Sequence, residues 1–462
     1  MLKNIVNKIC KQSDSDVVFS YYAVWFFSFL LFVPFPADDL LRDIIIGNYN
    51  FDYSQLYIYS SLMPKYNQYI AFDHILALIS SHVGKMWTIR IIQLFVILNF
   101  VIPLNFIFNK LLEGRKDKYI LIVIALALSC NSAVVMRLYL GRPEAILAGW
   151  VLWGVFSKYS SRSLKLSWLI SGIIVTPLYW LSIIYVPVCL FVFKRNLSKI
   201  IGLIVLVLSN ILFWQYYSHG LWLHTFSLVN QQIANRYGEL VVGENNSILS
   251  VLLNPSFAVV SVTLIYTLIK QGRKSIGFYL FDEQSRNIIA ILAVIVWFSL
   301  PNMIRYCDVV VPLTIILFVV AYTKSQYQID NDFLKRISIM VACFSIFYAH
   351  NNFKKPCRYS EIPLNAKVLT TFNGANYYIP FFNKEKIQVA PCMEIGATDN
   401  GVQKLISIMQ TKGTLDCSEL SKYNFDYLVE KNLIEVPKCL SIYGVNAEYR
   451  IWKINHEKIK QK

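Results

Sequence analysis

Pro34-Phe35-Pro36-Ala37-Asp38-Asp39-Leu40-Leu41-Arg42-Asp43 closes the first long apolar segment of the chain, which runs over residues 17–35. Two prolines at that point stop a helix and fix the angle at which the chain leaves it. Carboxylates follow at once, so the acidic group stands where the chain would emerge from a bilayer. On a new short helix Asp39 and Asp43 share a face with Arg42, because residues three and four apart are neighbours. Asp38 points roughly a quarter-turn away. An acidic pair at a membrane–water boundary suits a general base acting on a substrate that arrives in the lipid. A solvated loop with an ordinary aspartate helix cap is the other reading of the same residues.

Composition agrees with a bilayer setting. Over 462 residues 56% are hydrophobic and 16% charged, against about 25% charged in soluble domains. Apolar runs of about 17–25 residues, enough to cross a roughly 30 Å hydrocarbon core, recur from residue 17 to about residue 347. The expected fold is therefore mainly α, a polytopic membrane protein. A formal charge of +16 is read by its position along such a chain and not as a nucleic-acid signal.

The first apolar stretch is too long for a secretory signal and no small-residue cleavage site follows it, so it reads as a span. Residues 37–86 are too polar to cross and form a long loop, rich in tyrosine, with an amphipathic run at 72–83 suited to the interface. Further spans are expected at 87–108, 119–136, 144–157, 166–179, 183–193, 200–216, 248–269, 287–300, 308–323 and 337–350, about eleven in all. Pro177 and Pro187 interrupt the short middle pair.

Alternate connections are rich in lysine and arginine. They are Lys110 to Lys118, Lys158 to Lys165, Lys194 to Lys199, Lys270 to Arg286 and Lys324 to Arg336. The positive-inside rule puts these and the N-terminus in the cytoplasm. The loop 37–86, the turn 137–143, the turn near Trp180, the loop 217–247, the turn 301–307 and everything after residue 350 then lie outside. Residues 1–350 read as the spanning domain and 351–462 as a small external α/β or α+β domain. Its segments 425–429 and 449–454 are strand-like in their β-branched and aromatic content. Four of nine cysteines, Cys357, Cys392, Cys417 and Cys439, fall in that domain, where an oxidising compartment favours at least one disulfide. The sequence contains no P-loop, no GxGxxG, no GxSxG and no paired CxxC, which disfavours a nucleotide-driven pump and a structural zinc site.

Chemistry is expected in the outer connections. Arg137-Leu-Tyr139-Leu-Gly-Arg142-Pro-Glu144 puts two arginines and a glutamate between adjacent spans, on the side normally poor in positive charge. Guanidinium matches phosphate in bidentate geometry, so Arg137 and Arg142 are candidates for an anionic headgroup. A lipid headgroup contact or pairing with Glu144 is the structural alternative. Arg305, in a tight outer turn, repeats the theme. In the 217–247 loop His224 and Arg236, set among aromatics, suit sugar or isoprenoid binding or an interfacial belt. His74 and His82 read as surface residues of the amphipathic run.

One span, an acidic motif opening a long outer loop, many further spans and an outer C-terminal domain together resemble the GT-C class of membrane glycosyltransferases. The resemblance covers the architecture of nearly the whole chain, with Asp38-Asp39 as its one sharp motif; Arg142-Pro143-Glu144 is similar to short Arg-Pro segments of some members. Size and layout are also similar to the serotype-converting glucosyltransferases that decorate O-antigen. The resemblance implies Asp38 or Asp39 as catalytic base and Arg137, Arg142 and Arg305 as phosphate-binding residues. Arg42, Asp43, Tyr139, Glu144, His224 and Arg236 would line the substrate site. It also implies a polyprenyl-phosphate-linked sugar as donor, a glycan or glycolipid as acceptor, membrane lipids as surroundings, no required metal or other cofactor, and a bacterial plasma membrane. A polysaccharide polymerase, a lipid-linked sugar flippase or a membrane acyltransferase using His219 or His224 are the competing classes.

Overall fold

In the computed structural model, residues 39–59, 69–115, 118–130, 132–218, 307–324, 362–370, 375–383, 386–390, 399–430, 433–445 and 449–457 are described. The expected spans at 17–35, 248–269, 287–300 and 337–350 lie outside them, as do Asp38, Arg305, His219, His224, Arg236, Cys357 and Cys392.

The helices in chain order are α1 (Asp39–Ile45), α2 (Tyr53–Leu56), α3 (Ile70–Val83), α4 (Lys85–Leu111), α5 (Lys118–Ser129), α6 (Ser132–Leu140) and α7 (Pro143–Lys158). There follow α8 (Arg162–Val175), α9 (Cys189–Val192), α10 (Asn196–Ser218) and α11 (Cys307–Lys324). Strands and helices then alternate through β1 (Lys367–Thr370), α12 (Ala375–Phe382), β2 (Gln388–Ala390), α13 (Asn400–Lys412), α14 (Cys417–Ser421), β3 (Tyr427–Glu430), β4 (Leu440–Val445) and β5 (Arg450–Ile454). The described residues are mainly helical, with one small sheet among them. Helices α4 and α10 are each long and apolar enough to cross a membrane.

Two compact units emerge. One holds the described helices between Arg90 and Trp214 together with α11. Within it, α7 and α8 are locked by a reciprocal pair: Trp150 Nε1 donates to the Trp168 carbonyl (3.2 Å) and Trp168 Nε1 to the Trp150 carbonyl (2.9 Å). The two indoles stack with centroids 4.6 Å apart. Gly154 and Gly172 make that possible, since a Cβ on either would meet a tryptophan ring at 2.9 or 2.6 Å. Helix α11 packs against α5, α6 and α7.

The expected span over 119–136 is not continuous. The helix stops at Ser129 and a new one starts at Ser132, because Ser129-Cys-Asn-Ser132 places cap-forming residues inside an apolar run. The expected pair at 166–179 and 183–193 is likewise one regular helix, α8, followed by 3₁₀ turns around Pro177 and Pro187 and the single turn α9. Proline lacks the N–H that an α-helical ladder needs, so tighter turns replace it.

The second unit holds the described parts of Phe35–Ile89, Gln215–Leu240 and Lys354–Lys462. Its five-stranded mixed sheet runs β2-β1-β3-β5-β4. Strand β1 is parallel to β2 and β3, whereas β5 is antiparallel to both β3 and β4. Helices α13 and α14 cover one face, around a core that includes Val402, Leu405, Leu420, Leu428 and Trp452. Asp399 and Asp416 cap these helices through their carboxylates. Cys417 and Cys439 are joined in a disulfide with Cα atoms 6.1 Å apart.

The tyrosine-rich loop is stitched to the sheet of the same unit. Tyr57 forms a parallel bridge with Val389 of β2, and Ile58 N donates to the Val389 carbonyl at 3.1 Å. The Tyr49 hydroxyl donates to the Ile387 carbonyl (2.8 Å) and accepts from Ile387 N (3.1 Å). Tyr59 receives the Asn424 N–H on its hydroxyl at 2.7 Å. Loop 46–59 is thus seated on the edge of a sheet encoded more than 300 residues later.

Candidate active site

Asp39 opens α1, directly after the prolines, and the helix turns its next residues inward: Leu40, Leu41, Arg42, Asp43, Ile44 and Ile45 are all buried. The spacing of three brings Arg42 Nη1 to 3.4 Å from Asp39 Oδ1. The neighbouring carboxylate wraps back, so that Arg42 Nε and Nη2 both lie 2.9 Å from Asp43 Oδ1. Arg42 is only 1% exposed, which a guanidinium tolerates when it is paired and stacked. Its Cζ lies 5.3 Å from the Tyr53 ring centroid and 5.9 Å from that of Tyr69.

A second carboxylate enters from α3. The Tyr53 hydroxyl donates to Asp73 Oδ2 at 2.9 Å and lies 3.4 Å from Asp43 Oδ1. Burial first, and then the Asp73 charge, push the Tyr53 phenol well above its usual range, so the group remains a proton donor at neutral pH. Asp43 and Asp73 are each 1% exposed, whereas the Asp39 side chain is 14% exposed. Of these three carboxylates Asp39 is the one open to a reactant. Arg42 holds it in place, Asp43 and the Tyr53 and Tyr69 rings hold Arg42, and Asp73 holds the Tyr53 hydroxyl.

A separate charged group lies in the helical unit. Arg137 sits near the end of α6 and Arg142 is the N-cap of α7, with Pro143 at the first helical position and Glu144 in the first turn. Gly141, at φ +65°, makes the tight reversal between the two helices. Arg137 Nη2 and Glu144 Oε1 are 4.0 Å apart, at 4% and 0% exposure. Asp308, in the first turn of α11 and fully buried, lies within electrostatic reach of both. Tyr139 is also fully buried, and its carbonyl accepts from Gln93 Nε2 at 2.8 Å, while Arg90 Nη1 donates to Gln93 Oε1 at 3.1 Å.

Thus the structure brings Asp39, Arg42 and Asp43 into one cluster and Arg137 and Glu144 into another, with Arg142 and Tyr139 in the segment that carries the second. Tyr53, Tyr69, Asp73 and Asp308 were not anticipated. Asp73 did carry a signal, because Ile70, Asp73 and Leu76 recur at helical spacing and a carboxylate on a buried face requires partners. His74 and His82 are exposed as expected; His74 packs on the Phe51 ring at 3.7 Å between centroids, and partial burial lowers its basicity. Among the described residues no group of three or more His, Cys, Asp or Glu is arranged to hold a metal ion.

No protein-family model and no curated protein matches the chain. Among solved structures, the crystal structure of ArnT from Cupriavidus metallidurans bound to undecaprenyl phosphate superimposes with a TM-score of 0.52 at 11% identity. The match covers 94% of this chain and 96% of that one. Along nearly its whole length, this chain is similar in fold to ArnT.

Proposed function

We propose that the chain is a multi-pass membrane glycosyltransferase of the GT-C class, moving a sugar from a polyprenyl phosphate to a glycan or glycolipid outside the cytoplasm. The observation that carries this reading is the likeness in fold, over 94% of the chain, to a protein whose structure holds undecaprenyl phosphate. O-antigen glucosylation in a bacterial inner membrane is its narrower form.

In this reading an acceptor hydroxyl attacks the anomeric carbon as the bond from that carbon to the phosphate oxygen breaks. In-line displacement inverts the centre. Asp39 or Asp38 takes the hydroxyl proton, a contribution of about 10²–10⁴-fold. Arg42 fixes the orientation of Asp39, from which it stands 3.4 Å. Arg137, Arg142 and Arg305 stabilise the charge that builds on the departing phosphate.

The test is transfer of labelled sugar from polyprenyl phosphate to surface glycan in membranes holding equal amounts of each variant. Asp39→Asn or Asp38→Asn should lower transfer by about a hundredfold or more with folding kept. Wild-type rates from both variants would remove the base from the reading.

A further inference from the structure

Helix α3 has two faces with different surroundings. Phe72, Asp73 and Leu76 are buried, and Ala77 stands so close to the 3₁₀ turn Ile46–Tyr49 that a Cβ on Gly47 would meet its own at 2.7 Å. Ile75 and Leu78, two residues beyond Asp73 and Leu76 respectively, fall on the opposite side of the helix and are exposed, Leu78 by 63%. Asp73 is the only carboxylate of this helix, so the exposed face shows none.

The same apolar surface runs on towards a span. Val83 is exposed, and Gly84 alone, at φ +83°, separates it from α4, which is long and apolar enough to cross a membrane. Met86 and Trp87 continue the surface in the first turn of α4, Trp87 at 68% exposure. Tryptophan at the mouth of a span suits the headgroup level of a bilayer, and an acid-free apolar helix face joined to it suits the same surface. The occupant this face fits is therefore lipid.

The buried face leads to the acidic cluster. Asp73 Oδ2 accepts the Tyr53 hydroxyl at 2.9 Å, the Tyr53 ring centroid lies 5.3 Å from Arg42 Cζ, and Arg42 Nη1 lies 3.4 Å from Asp39 Oδ1. Close-packed contacts such as Ala77 on Gly47 transmit a displacement and do not absorb it. Misplacing a reacting group by about 1 Å can cost on the order of a hundredfold in rate.

We infer that α3 is a membrane-seated brace for the base: its exposed face rests on the lipid surface, and its buried face carries that seat through Asp73, Tyr53 and Arg42 to Asp39. Transfer is then fastest when the lipid under α3 is in place. This inference rests on the glycosyltransferase reading above.

The first arm of the test puts a nitroxide on Leu78→Cys, with the other cysteines outside the Cys417–Cys439 disulfide replaced by serine, in phosphatidylglycerol–phosphatidylcholine vesicles. The label should be open to oxygen and shielded from a water-soluble nickel chelate; free access of the chelate overturns the inference. The second arm is the transfer assay above. Ile75→Ser combined with Leu78→Ser should lower the maximal rate by about tenfold and leave the melting temperature in detergent unchanged, whereas Leu78→Met should keep the wild-type rate. A wild-type rate from the serine pair, or a lowered melting temperature, overturns the inference. The third arm repeats the serine pair in Tyr53→Phe, where it should cost little more; a fully additive loss removes the route through Tyr53 and overturns the brace. A wild type that transfers no sugar brings down the glycosyltransferase reading and this inference with it, while an active wild type indifferent to the serine pair sinks this inference alone.

Discussion

Tyr53 has one hydroxyl proton and faces two carboxylates, Asp73 at 2.9 Å and Asp43 at 3.4 Å. The shorter contact takes the proton. Tyr53→Phe removes that donor from a buried carboxylate, and should cost about 1–3 kcal/mol in reversible denaturation. The same residue has a signature at high pH. Its folded pKa is raised by burial, so the folded chain keeps a proton that the unfolded chain releases above the usual tyrosine value of 10.0. The stability it contributes is complete below that pH and decays as pH rises beyond it. Tyr53→Phe should therefore show a shallower alkaline loss than wild type. A parallel pair of pH curves would contradict the burial of the phenol. At this scale the Asp39–Arg42–Asp43 constellation was legible because it obeys local helix spacing. The Asp43–Tyr53 and Tyr53–Asp73 contacts cross 10 and 20 residues, and the second depends on how α3 folds back, which no local pattern encodes.

Elements were read with uneven success, and the reason is physical. Helices α4, α7, α10 and α11 lie within four residues of the expected spans, because a long apolar run has few other ways to satisfy its backbone. The break at Cys130 was not legible, since small polar residues do not lower the apolar content of a window, whereas Pro177 and Pro187 did mark the interruption after Val175. Strands β3 and β5 were legible from β-branched and aromatic content, whereas β1 and β2 are four and three residues long and leave little pattern. Close helix contact has its own requirement. A Cβ at Gly149 of α7 would sit 2.6 Å from Asn99 Cγ and 2.8 Å from the Asn99 carbonyl oxygen of α4. Backbone cannot swing aside, and the Asn99 side chain is held by the Ile146 carbonyl (3.0 Å) and Trp153 Nε1 (3.1 Å). Gly149→Ala should lose about 1–3 kcal/mol to overpacking, more than the roughly 1 kcal/mol that alanine gains in helix propensity. A lower melting temperature in detergent checks it; a rise would mean the helices separate freely.

For the molecule as a whole, the charge pattern makes a claim about sides. From five basic connections the positive-inside rule leads us to expect the N-terminus and the α4–α5 turn in the cytoplasm and the sheet domain outside. Cysteines introduced as Lys404→Cys and Glu113→Cys both fall at exposed positions, while Cys130, Cys189 and Cys307 are buried. With Cys357 and Cys392 replaced by serine, a membrane-impermeant maleimide added to intact cells should label the first and spare the second; the reverse would invert every outer site named here. Docking of loop 46–59 on the later sheet was not legible, because pairing across such distance leaves no trace in neighbouring residues.

That docking also sets a timetable. Tyr49 and its partner Ile387 are separated by 338 residues. At about 5–20 residues per second, the ribosome delivers the partner strand roughly 20–70 s after the tyrosine. Helices laid down in between must be inserted while the acidic segment waits without its seat. A nascent chain stopped before Ile387 would carry every residue of the Asp39–Arg42–Asp43 cluster and still lack the sheet edge that seats the loop beside it.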